Sequence, residues 1–145
     1  MRRRIIAAGA AIIVGAIGFA TWPTQETNVA LTSDTVTASS ALANVIVPET
    51  LSSNAQIGKV AFEAACVSCH GENAAGQDGV APPLVHIIYE PNHHGDESFQ
   101  RAAALGVRAH HWPFGNMPPV EGVTRADVAM IVAYVRELQR ANGIN

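Results

Sequence analysis

Charge is scarce in this chain. Of its 145 residues only 14% are Asp, Glu, Lys or Arg, well below the roughly 25% usual for soluble domains, so some stretch must be nearly charge-free. Nine basic residues against twelve acidic ones leave a net charge of −3, which excludes nucleic-acid binding by bulk positive charge. Cysteine is scarcer still. Two cysteines cannot build the multi-bridge framework of small secreted domains, so a small core here needs another staple. No segment alternates convincingly as a half-buried strand does, and no internal repeat is present; the fold expected is small and all-α.

The missing charge lies at the start. Arg2, Arg3 and Arg4 precede residues 5–22, a run without one charged side chain. As a helix that run spans about 27 Å, close to the ~30 Å hydrocarbon core of a bilayer. Residues 1–22 therefore read as a signal-anchor, and the positive head places the rest of the chain on the far side, the periplasmic face of an inner membrane. Gly18-Phe19-Ala20 is a passable cleavage site, so a cleaved signal and a soluble periplasmic product stand as the alternative. Residues 23–53 are rich in Thr, Ser, Ala and Asn with no basic residue. They read as a flexible linker with a reach of about 30 Å, interrupted by an apolar island at Val45-Ile46-Val47. Residues 54–145 are left as the folded domain, with six basic and nine acidic residues.

Within that domain, Ile57, Val60, Ala61 and Ala64 recur at spacings of three and four and predict an amphipathic helix over 55–65, with Phe62 on its flank. A second helix is predicted over about 96–105, capped by Asp96 and closed by Gly106. The last helix is the clearest. Thr124 and Asp127 form an N-terminal capping pair, Val128, Ile131, Val132, Val135 and Leu138 make one stripe, and Gly143 marks the stop.

The first helix runs into Cys66-Val67-Ser68-Cys69-His70. A C-x-x-C-H pentapeptide reads as c-type haem attachment, each thiol adding to one vinyl group while the His ligates the iron. A thioredoxin-like motif should follow a strand, and none is evident here. A zinc site needs four ligands with paired spacing, which the sequence lacks. Downstream, Gly115-Asn116-Met117-Pro118-Pro119 breaks regular structure. Met117 is the candidate second axial ligand, in a loop that Pro118 and Pro119 would stiffen; Met130 sits beside the stripe of the last helix and reads as packing.

Taken together these pieces resemble a membrane-anchored class I c-type cytochrome over about residues 55–138. Gly58-Lys59-Val60-Ala61-Phe62 and the attachment pentapeptide resemble that family's first helix. Tyr134 matches the aromatic that Gly58 and Phe62 should meet. Ala81-Pro82-Pro83-Leu84 resembles the loop whose Pro carbonyl accepts from the proximal imidazole, and Asn116-Met117-Pro118-Pro119 resembles the distal loop. The resemblance implies one covalent haem c within a helical domain, held by Cys66 and Cys69, with His70 and Met117 as axial ligands and Pro82 orienting His70. It also implies a non-enzymatic electron carrier for membrane-bound redox partner proteins, with no nucleic acid and no small-molecule substrate. The lysine ring of the mitochondrial members is absent: the domain holds Lys59 and five arginines. Docking by a general basic face gives way to a local patch or tethered proximity.

Two histidine pairs, His93-His94 and His110-His111, have no place in this scheme. Adjacent histidines point apart on a helix or strand, so each pair could bind a metal only in a loop. Exposed or haem-edge polar residues, a copper or zinc site across both pairs, and replacement of Met117 on the iron by His110 or His111 all stay open. So do two other function classes: a haem enzyme or gas- or peroxide-binding sensor with an open sixth site, and a histidine-based copper-handling protein.

Overall fold

The computed structural model describes residues 40–145; the proposed anchor and the first part of the linker lie outside them. Four helices follow in order: α1 (Ser53–Ala65), α2 (Val67–His70), α3 (Asp96–Leu105) and α4 (Arg125–Ala141), with 3-10 turns at Glu72–Ala74 and Ile87–Tyr89. Among the described residues there is no strand, only isolated antiparallel bridges pairing Gln77 with Ala81 and Val107 with Met117. None of these helices is long and apolar enough to cross a membrane.

Helix α4 organises the fold. Thr124 and Asp127 close a capping box, Thr124 N donating to Asp127 Oδ2 at 2.9 Å and Asp127 N to Thr124 Oγ1 at 3.2 Å, so the helix begins where the sequence places it. Val128, Ile131, Val132, Val135 and Leu138 are all buried. Against them packs α1, which presents Ala55, Gly58 and Phe62. The face expected from hydrophobicity is a different one: Ile57 is 58% exposed and Val60 68% exposed. Close approach decides the matter. A Cβ on Gly58 would stand 1.8 Å from the carbonyl oxygen of Met130, so only glycine lets the α1 backbone reach α4, and the helix turns that side inward at the expense of its larger aliphatics. Phe62 and Tyr134 then meet with ring centroids 5.7 Å apart at 58°, as expected for that pair.

Two further expectations are corrected. The N-cap of α3 is Gly95 and not Asp96, because the Asp96 carboxylate is engaged elsewhere, accepting from Arg136 Nε at 2.9 Å. The flexible linker also ends sooner than residue 53. Ser40 O accepts from Asp78 N, and the amides of Leu42 and Ala43 both donate to Ala75 O. Ile46 is bracketed by Asn142, its N–H donating to Oδ1 and its carbonyl accepting from Nδ2, both at 2.8 Å. Val45 and Leu51 pack on the core. These partners all lie far away in sequence, which is why composition alone assigned the segment to a coil.

Candidate metal centre

The attachment pentapeptide sits at a break. Helix α1 stops at Ala65, Cys66 takes φ −121°, and one further turn, α2, carries the chain to His70. In that turn His70 N donates to Cys66 O at 2.9 Å, so residues 66, 69 and 70 fall on adjoining parts of one helical turn. Gln77 ties the turn down through Nε2, which donates to the carbonyls of Val67 (3.2 Å) and Ser68 (3.1 Å). The two cysteines are not joined in a disulfide; Cys66 is half-buried and Cys69 exposed. Burial, and secondarily the neighbouring Cys69, pushes the Cys66 thiol up to about 11.

His70 is buried. Its Nδ1 lies 2.9 Å from Pro82 O; a carbonyl can only accept, so Nδ1 carries the proton and Nε2 the lone pair. Burial lowers the proton affinity of the ring below the ordinary imidazole value, the bond to Pro82 opposing. The result is a neutral imidazole with one committed nitrogen and one free nitrogen, the state a metal ligand requires.

Met117 is held from its backbone. Its N–H and carbonyl exchange two hydrogen bonds with Val107, both 2.9 Å, closing the loop of residues 108–116. Gly106 makes this pairing feasible: at φ +74° a Cβ there would lie 2.5 Å from Met117 O. Asn116 Oδ1 accepts from Ala109 N inside the loop, and Val120 N donates to Ala103 O beyond it. The ladder to Val107 holds Met117 just ahead of Pro118 and Pro119, both exposed.

Tyr134 links this machinery to α4, its hydroxyl donating to Asn73 Oδ1 at 3.1 Å just beyond the attachment turn. A cytochrome c family model matches residues 55–139. The chain belongs to the cytochrome c family. No curated protein and no solved structure matches it significantly. Membership makes this a c-type cytochrome, a haem-based electron-transfer protein with covalently bound haem c. Two thiols within one helical turn and a neutral imidazole with a free nitrogen fit that cofactor.

The cytochrome's two histidine pairs are brought together, although 15 residues separate them in sequence. Between ring centroids, His93 and His94 stack at 4.6 Å, His111 lies 5.4 Å from His93 and 5.3 Å from His94, and His110 lies 4.1 Å from His111. His93, His110 and His111 are exposed and His94 half-buried. Sequence reasoning missed what assembles them. Arg136, buried on α4, donates through Nη1 to Tyr89 O (2.7 Å) and through Nη2 to His94 O (2.5 Å). Gln139, fully buried, donates to Leu84 O and Tyr89 O at 2.8 and 3.0 Å. The one available signal was the interruption of an apolar stripe by two polar residues, Arg136 and Gln139, flanking Leu138.

Proposed function

We propose that this cytochrome is a single-haem electron carrier, with Cys66 and Cys69 as the haem thioethers, His70 and Met117 as the axial ligands and Pro82 orienting the proximal ring. The hydrogen bond from His70 Nδ1 to Pro82 O carries the reading, because it leaves Nε2 as the lone-pair donor. When bound, the haem supplies one-electron exchange between ferrous and ferric iron. His70 contributes neutral nitrogen and Met117 a thioether, a pair that raises the reduction potential above that of two histidines. With His70 and Met117 both holding the iron, no coordination position would be left for a substrate, as a carrier requires.

Residues 1–22 anchor the domain at the periplasmic face of the inner membrane, and membrane-bound redox proteins are its partners. Three arginines ahead of an uncharged run support the anchor. The shortage of lysine argues that proximity on a tether, and not a basic face, brings partners together.

Ligand access tests the carrier. Reduced holoprotein should bind carbon monoxide slowly, and Met117→Ala should bind it fast with a lowered reduction potential; rapid binding by the unaltered protein would favour the open-site enzyme or sensor. The tether is tested separately by fractionation. Haem protein should co-purify with a redox complex from solubilised membranes, and recovery in the soluble fraction alone would remove the anchor while leaving the carrier.

A further inference from the structure

We propose that His93, His94 and His111 form a second metal site, for copper(II) or zinc(II), on the surface of the haem domain. One ring nitrogen from each of the three lies within 4.8 Å of the others. Around a single ion, nitrogens bound at ~2.0–2.1 Å stand about 2.8–3.0 Å apart at the right angles of a tetragonal copper(II) site and about 3.3–3.4 Å apart in a tetrahedral zinc(II) site, so the exposed His93 and His111 rings must rotate to close the set. His110, its ring centroid 4.1 Å from that of His111 and 6.2 Å from that of His94, flanks the set.

The donor chemistry selects the ion. Three imidazoles without thiolate or carboxylate suit copper(II) and zinc(II), and give calcium or magnesium none of the oxygen ligands they need. Copper(II) stands first by the general order of affinities.

Orientation supports the assignment. His94 Nδ1 donates to Ile88 O at 2.6 Å and His110 Nδ1 to Arg108 O at 2.8 Å, leaving Nε2 of each as the lone-pair donor, the same device that fixes His70. The carrier loops are braced as well. Arg136 holds the carbonyls of Tyr89 and His94, and the Val107–Met117 ladder closes the loop bearing His110 and His111. Solvated surface histidines require none of this convergence. The site uses no proposed haem ligand, so it stands or falls apart from the role of Met117.

The haem-loaded full chain, titrated with copper(II) chloride against a chelating competitor and separately with zinc chloride, should take up one ion per chain. Paramagnetic resonance of the copper form should show coupling to imidazole nitrogen. His93→Ala and His111→Ala remove exposed rings, so the haem spectrum should be retained while affinity falls at least about tenfold. Uptake well below one equivalent of both ions, or an affinity that neither His93→Ala nor His111→Ala alters, overturns the proposal.

Discussion

Across the α1–α4 seam, Phe62 and Tyr134 meet ring to ring and Gly58 lets two backbones touch. Around the histidine loops the chain is held by polar bonds instead: Arg136 and Gln139 donate to the carbonyls of Leu84, Tyr89 and His94, and Val107 pairs with Met117. The two constructions serve different needs. A seam of apolar contacts tolerates no insertion and holds the helices at a fixed spacing. Loops bearing ligands must keep side chains at the surface, so little apolar area is buried there and backbone hydrogen bonds supply the order. A buried arginine is well suited to this, since one guanidinium offers five donors in a rigid fork.

The sharpest way to break the comparison is Gly58→Val. The added carbons would enter the Met130 backbone, so α1 and α4 must part, and haem-loaded protein should fail to accumulate as judged by haem staining after denaturing electrophoresis. Phe62→Ala is next, at about 3–5 kcal/mol, read as a lowered denaturant midpoint of the haem-loaded protein. Arg136→Met tests the other construction. It removes the donor to the half-buried His94 carbonyl and the one to Oε1 of the fully buried Gln139, and a buried unsatisfied group costs about 1–3 kcal/mol. Unlike Phe62→Ala, it should also weaken copper binding out of proportion to its effect on stability.

The smallest effect is pH-dependent. Hydrogen bonds from the Thr124 side chain and backbone hold the Asp127 carboxyl below its ordinary value. A depressed carboxyl contributes stability above its unfolded pKa and loses it as pH falls through the folded one. The midpoint difference between the wild-type protein and Asp127→Ala should therefore be present at neutral pH and close on acidification through the carboxylate range. A difference constant with pH would assign the effect to helix propensity.

Legibility followed the range of the interactions. The ends of α4 were readable because a capping box spans four residues and a stripe repeats every turn, both within one segment. The attachment turn was readable because two thiols and a ligating imidazole must share one short stretch of chain. The existence of α1 was likewise predicted, but its buried face was not, since hydrophobicity favoured Ile57 and Val60 and nothing local records that Met130 lies 1.8 Å beyond Gly58. Asp96 had the composition of a cap, and only Arg136, 40 residues away, shows why it does not serve as one.

By itself, then, the amino-acid order determined the all-α class, the last helix, the covalent haem and the identity of His70 and Met117 as candidate ligands. All are set by residue chemistry or by spacing within a few turns. Tertiary structure alone decided which side of α1 is buried, where the linker ends and that four histidines share one place. Each of those outcomes depends on which distant backbone comes within about 3 Å of a given atom, a distance that only the folded chain sets.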